Sequence, residues 1–140
     1  MENLEQANFL NLGITANDKG EVLMIKRVKL ETGKDGSILT WVFPGGKQRL
    51  SESRKECVKR EILAETGYNI EPIREITMGF HPQFPVFIVY HLCKLASPEP
   101  VAKPNEFHEV AEIKWVKIKE IKNLITTHLD PKVSRELGLN

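Results

Sequence analysis

Charge of one sign is what this 140-residue chain most obviously lacks. Its 20 basic side chains are matched by 19 acidic ones, for a net of +1. A near-neutral surface has no one-signed field with which to coat nucleic acid or anionic membrane, so neither is expected as a partner. Long apolar runs are missing too, and none approaches the ~20 residues a membrane-spanning helix needs. The first ten residues, MENLEQANFL, hold no basic stretch followed by an apolar core, so no secretory leader is expected. Cysteine is reduced to Cys57 and Cys93, without CxxC spacing. Two such thiols read as reduced core residues of a cytoplasmic protein rather than as a disulfide framework. The four histidines, His81, His91, His108 and His128, are scattered and show no zinc-ligand spacing. No internal repeat is present.

What remains is the composition of an ordinary globule, 41% apolar and 28% charged. The chain is long enough for one domain with a core of its own, here residues 1–140. Phe9 to Ala16 and Val22 to Val28 are apolar runs joined by Asn17-Asp18-Lys19-Gly20, a hairpin-like turn. Residues 29 to 37 are polar with two glycines and read as a loop. Thr40 to Phe43 reads as a short strand ended by Pro44 and a glycine pair. Ile70 to Phe80, Phe84 to Leu95 and Glu112 to Val116 read as further strands, with Trp115 a core residue. Ala96 to Asn105, with three prolines, is a loop. Ile118 to Ile125 and Pro131 to Leu137 read as helices, the second capped by Asp130. Strands and helices in this irregular order make an α+β domain.

The informative stretch is residues 41 to 68, WVFPGGKQRLSESRKECVKREILAETGY. Ser53 and Glu56 have capping-box spacing, so a helix starts near Arg54, and Gly67 is its expected left-handed cap. On a helical wheel Glu65 lies about 40° from Glu61, with Cys57 and Ala64 on one side and Val58 and Ile62 on the other. Both acids therefore fall on the least polar arc. Acids four apart on a helix are usually solvated. Buried side by side, however, they need a proton or a cation to offset them. All-oxygen ligands suit Mg²⁺ or Mn²⁺. The Gly45-Gly46 turn lets backbone come close to a ligand.

These residues resemble the Nudix box. The box has glycine, five residues, glutamate, seven residues, then Arg-Glu-aliphatic-any-Glu-Glu-any-Gly-aliphatic. Here Gly46, Glu52, Arg60, Glu61, Glu65 and Gly67 stand in that register, preceded by Phe43-Pro44-Gly45-Gly46-Lys47. Two box positions depart. Ala64 replaces the first of the paired glutamates, normally a metal ligand, and Tyr68 replaces the final aliphatic. Arg49 and Ser51 stand where many members carry glutamate and glycine.

The resemblance implies a Nudix-type α/β/α sandwich with a mixed central sheet. It implies a metal-dependent hydrolase that cleaves the pyrophosphate linkage of a nucleoside diphosphate derivative. Glu65 is then expected as a metal ligand, Glu61 as ligand or base, and the Gly46 carbonyl as a third contact. A further acid from a distant loop is expected, Glu109 before Glu106. Arg60, about 100° from Glu61 on the wheel, is expected to pair with Glu52 and to support the site. Phe84 or His81 could stack a base, or could equally form a plain turn with one core aromatic. Pro82, about fifteen residues past the box, resembles a mark of ADP-ribose-cleaving members. The short chain favours a nucleoside-triphosphate-type pyrophosphatase acting as monomer or homodimer. ADP-ribose or dinucleoside polyphosphate hydrolysis stays open as the alternative. So does a catalytically weakened nucleotide-binding module, given Ala64.

Overall fold

The computed structural model describes residues 9–106 and 108–139, which form seven strands, one long helix and three short helical segments. Residues 1–8, on which the expectation of no leader rests, lie outside that description, as does Phe107 of the acid-bearing loop. The strands are β1 (Phe9–Ala16), β2 (Glu21–Thr32), β3 (Ile38–Val42), β4 (Gly45–Lys47), β5 (Ile70–Phe80), β6 (Phe87–Leu95) and β7 (Val110–Lys117). The main helix α1 spans Arg54–Thr66. A 3-10 turn over Ile118–Glu120 leads into a single turn of helix, α2 (Ile121–Leu124), and α3 covers Pro131–Glu136.

One mixed sheet carries all seven strands. Its order is β3-β2-β1-β6-β5, with β4 paired to β1 and β7 to β2. The β1–β6 pair is parallel and the others are antiparallel. Alternation along β2 shows why both faces are buried. Val22 and Met24 join Ile14, Phe43, Tyr90, Ile121 and Val133 in the core under α2 and α3. Leu23, pointing the other way, packs with Val58 and Ile62 of α1 and with Ile70 and Cys93. Helices thus cover both faces, which is the expected sandwich. Truncating Ile62, which is fully buried, would cost about 2–5 kcal/mol.

Helix α1 is set at both ends by the residues the sequence marks. The Ser53 Oγ accepts from the Glu56 N–H and the Glu56 carboxylate accepts from the Ser53 N–H. Gly67 closes the helix at φ 80°, its N–H donating to the Leu63 carbonyl at 2.8 Å. Its own carbonyl then accepts from Val101 at 2.8 Å, and the Ala64 carbonyl accepts from Asn105 at 2.9 Å. The end of α1 thereby anchors the proline-rich loop that leads to Glu106 and Glu109.

Besides shifts of a residue or two at β3 and β7, four assignments differ from expectation. The polar segment after Val28 is not all loop, because β2 continues to Thr32 and only the turn at 33–37 is irregular. There β2 pairs with β3, and its apolar residues Val28 and Leu30 are exposed rather than packed, so no buried face marks the strand. Gly45–Lys47 is not just a turn but the short strand β4, bonded to β1. The strand expected from Phe84 starts at Phe87, after Pro85. The helix expected over Ile118 to Ile125 begins as a 3-10 turn. Trp115 packs against the α1-side core while staying half-buried, and its Nε1–H donates to the Tyr68 hydroxyl at 3.0 Å. Tyr68, one of the two box departures, thus has a polar partner that an aliphatic residue would lack. Cys57 and Cys93 are both buried and unpaired, as expected.

Candidate active site

Glu65 is a glutamate buried to 5% exposure. Helix α1 turns it inward, where its Oε1 accepts the Gly45 N–H at 2.8 Å. Burial raises its pKa to about 9, against the pull of that single donor, and the negative charges of Glu61, Glu109 and Glu106 push the same way. Glu61 lies one turn earlier and half-buried. Burial raises its pKa as well, although the Arg60 guanidinium works in the other direction. The two acids are therefore inward-facing, not solvated. A site of this kind holds protons tightly until a cation replaces them.

Gly46 lets the Glu61 side chain come close. A Cβ there would sit 2.5 Å from Glu61 Oε2 and 2.6 Å from its Cδ, so the Glu61 carboxylate rests directly on the glycine backbone. The Gly46 carbonyl accepts a weak bond from the Cys57 thiol at 3.4 Å. Burial pushes that thiol up to about 12, so it remains protonated.

Arg60 does more than the wheel suggests. It donates through Nε to Glu52 Oε2 at 2.5 Å and through a terminal nitrogen to Glu52 Oε1 at 3.0 Å, the expected pairing. Its other terminal nitrogen reaches Glu61 Oε1 at 2.5 Å. The 100° separation is spanned by the length of the arginine side chain, which curls back along the helix. Arg60 thus holds both acids. Its guanidinium lowers the Glu52 pKa.

A cleft of about 790 Å³ opens beside these groups. Gly46, Glu61, Glu65 and Glu109 line it at one side, and His81 and Phe84 line it from the β5–β6 turn. The expected acids and aromatics therefore meet in one cavity, while Glu52 and Arg60 stand behind it. His81 and Phe84 pack edge to face at 5.1 Å, and His81 Nδ1 accepts the Gln83 N–H at 2.9 Å. Glu106 borders a smaller adjoining pocket that also touches Glu65. Among the described residues, Glu106, His108 and Glu109 are one group whose ligand atoms all lie within 4.8 Å of one another; Glu61 and Glu65 stand apart from it.

Several cleft residues escaped the sequence reading. Trp41, His128, Arg27, Lys29 and Lys47 also line the cavity. His128 sits 5.7 Å from His81, brought there by the chain between α2 and α3. No spacing could have revealed these residues, since they come from separate elements. Glu61, Glu65 and Glu109 with the Gly46 carbonyl offer an all-oxygen donor set on this cleft, which fits a hard divalent cation. A cation among these oxygens would offset the burial that raises the Glu65 pKa.

Two named proteins align with part of the chain. The chain is 37% identical over 71 residues to a Bacillus subtilis (strain 168) protein named "Putative 8-oxo-dGTP diphosphatase", a match covering 51% of this chain and 42% of that one. It is 38% identical over 69 residues to an RNA pyrophosphohydrolase of Hamiltonella defensa subsp. Acyrthosiphon pisum (strain 5AT), covering 49% and 37%. The aligned region thus spans less than half the length of these curated relatives. Among solved structures, the MutT protein of Methanosarcina mazei Go1 superposes with a TM-score of 0.62 at 26% identity, over 91% of this chain and 87% of that one. The NUDIX domain model itself matches residues 9–137, nearly the whole described fold together with the box and cleft, and the chain belongs to the Nudix family.

Proposed function

We propose that this chain is a divalent-cation-dependent hydrolase of nucleoside diphosphate derivatives, of the nucleoside-triphosphate pyrophosphatase type. The observation that carries this reading is Glu65, a buried glutamate with one hydrogen-bond donor, facing a cleft shared with Glu61 and Glu109. Glu61, Glu65 and Glu109, with the Gly46 carbonyl, would hold Mg²⁺ or Mn²⁺. When bound, such an ion neutralises the pyrophosphate and makes a bound water acidic enough to attack at neutral pH.

The rest falls to this chain's own residues. Glu61, whose proton affinity burial has raised, accepts the proton of the attacking water as its oxygen bonds to phosphorus and the anhydride P–O bond breaks. Arg60 keeps that carboxylate aimed into the cleft. Lys47 and Lys29 supply positive charge for the phosphate oxygens, while Arg27 is paired with Glu31 at 2.9 Å. His81 and Phe84 offer an aromatic wall on which a base can stack. The buried thiols suit a cytoplasmic setting. Among the described residues no helix is long and apolar enough to cross a membrane.

The test is incubation with a panel of nucleoside triphosphates, ADP-ribose and dinucleoside polyphosphates in Mg²⁺ or Mn²⁺, reading the release of monophosphate. Monophosphate plus pyrophosphate from a triphosphate is the expected result. Preference for ADP-ribose or a dinucleoside polyphosphate would move the substrate assignment. Binding without turnover across the panel would leave a nucleotide-binding module, the outcome Ala64 keeps in view.

A further inference from the structure

A line of polar side chains runs through apolar packing on the α1 side of the sheet. Asn11 sits in the apolar strand β1 and is fully buried, and His91, in the equally apolar β6, is 1% exposed. Gln48 is 5% exposed. His91 Nε2 lies 2.8 Å from Asn11 Oδ1, Asn11 Nδ2 donates to Gln48 Oε1 at 2.9 Å, and Gln48 Nε2 donates to the Glu52 backbone carbonyl at 3.0 Å. A backbone carbonyl only accepts, so it fixes every member before it. Gln48 must present its NH₂ to Glu52, Asn11 must present its NH₂ to Gln48, and His91 must carry its proton on Nε2. Burial lowers the His91 pKa, which keeps that ring neutral and the direction single.

The line does not stop at Glu52. The Glu52 carboxylate accepts the Arg49 N–H at 2.9 Å and holds Arg60, which reaches Glu61 Oε1 at 2.5 Å. The turn it anchors needs an anchor, because Ser51 is held at φ 68°, a left-handed conformation that a side chain disfavours. Three leucine-like side chains would fill the same space without the desolvation cost. What they could not do is pin the Glu52 carbonyl.

We propose that His91 is a positioning residue for Glu61, acting through Asn11, Gln48, Glu52 and Arg60. This rests on the role given to Glu61 above. An outer partner bonded directly to a ligand is worth about 10- to 100-fold in activity or metal affinity, and a relayed one is expected at the lower end. The experiment compares His91→Leu, which breaks the line, with His91→Gln, which can keep a donor near the Nε2 position. Val89→Ala, a buried position two residues earlier on the same strand, serves as a plain cavity control. For each, kcat and KM are measured on the preferred nucleotide, with Mn²⁺ affinity by calorimetry on substrate-free protein and the melting temperature.

His91→Leu is expected to lower kcat and weaken Mn²⁺ binding by about tenfold each, with KM within about twofold. His91→Gln should keep both within about threefold, and Val89→Ala should lose melting temperature only. If His91→Leu does not fold, Gln48→Met interrupts the same line and carries the same expectation. The proposal is overturned if His91→Leu behaves like Val89→Ala, or if His91→Gln fails as badly as His91→Leu. A parent protein that hydrolyses no nucleotide would sink the proposed function alone, since the Mn²⁺ comparison still decides the role of His91. Absence of Mn²⁺ binding by the parent would overturn both.

Discussion

A carboxyl group with a pKa near 9 is protonated at neutral pH unless something positive stands beside it, and Glu65 is in that position. Arg60, the cation bonded to its neighbour Glu61, is already shared between Glu52 and Glu61. Glu109 is the loop acid that faces the same cleft, and Glu106 faces a neighbouring one. Glu109→Gln should therefore slow turnover by about tenfold or more, whereas Glu99→Gln, on an equally polar exposed loop, should leave it unchanged. Equal effects in steady-state assays would mean that no loop acid reaches the site. Ser51 offers a second test at this scale. Its φ of 68° strains a residue that has a Cβ, by about 1 kcal/mol, and glycine returns part of that gain through its freer unfolded chain. Ser51→Gly should raise the melting temperature by roughly 2 °C. A lower melting temperature would mean that the serine makes a compensating contact.

At the scale of elements, α1 organises the site from both ends. Its capping box fixes where the helix begins, which sets Glu61 and Glu65 on the inward arc. Its last turn accepts bonds from the 96–105 loop and so delivers Glu109 to the cleft. Ala64 is the weak point of this arrangement. It lies about 60° from Glu61 on the wheel, near enough for a longer acid to share a cation. Ala64→Glu should lower the Mg²⁺ concentration for half-maximal rate several-fold. It should also lower the melting temperature of metal-free protein, a loss that Mg²⁺ restores. Unchanged Mg²⁺ dependence would show that position 64 faces away from the metal.

Much of this element was legible beforehand, because caps and helical arcs are written in residues three and four apart. Ser53, Glu56, Gly67 and the two acids needed no tertiary information. The strand β4 and the far end of β2 were not legible, since pairing across the sheet makes them strands while β4 is Gly-Gly-Lys and the end of β2 buries no apolar face. The line from His91 to Gln48 had only a faint signal. Asn11 in FLNLGITA and His91 in FIVYHLCKL are polar residues at inward positions of apolar strands, but which partners satisfy them depends on sheet order. The curl of Arg60 back to Glu61 lay beyond any wheel, which records where a side chain starts and not where it ends.

The whole molecule explains why the acids can be buried at all. A sheet covered on both faces gives two cores, one under α1 and one under α2 and α3. The cleft takes Glu61 and Glu65 from α1, and the rings of His81, Phe84 and His128 from the β5–β6 turn and the segment before α3. The stability of the scaffold carries the cost of holding Glu65 out of water, and a cation bound as proposed would recover it. The most direct measurement of this account is a Mg²⁺ titration of nucleotide hydrolysis for the parent protein and for Glu65→Gln, with both shown to be folded. The account predicts no hydrolysis in excess chelator, saturable activation of the parent, and a rate for Glu65→Gln at least about 100-fold lower at saturating Mg²⁺. Full activity in excess chelator, or a Glu65→Gln variant as active as its parent, would contradict it.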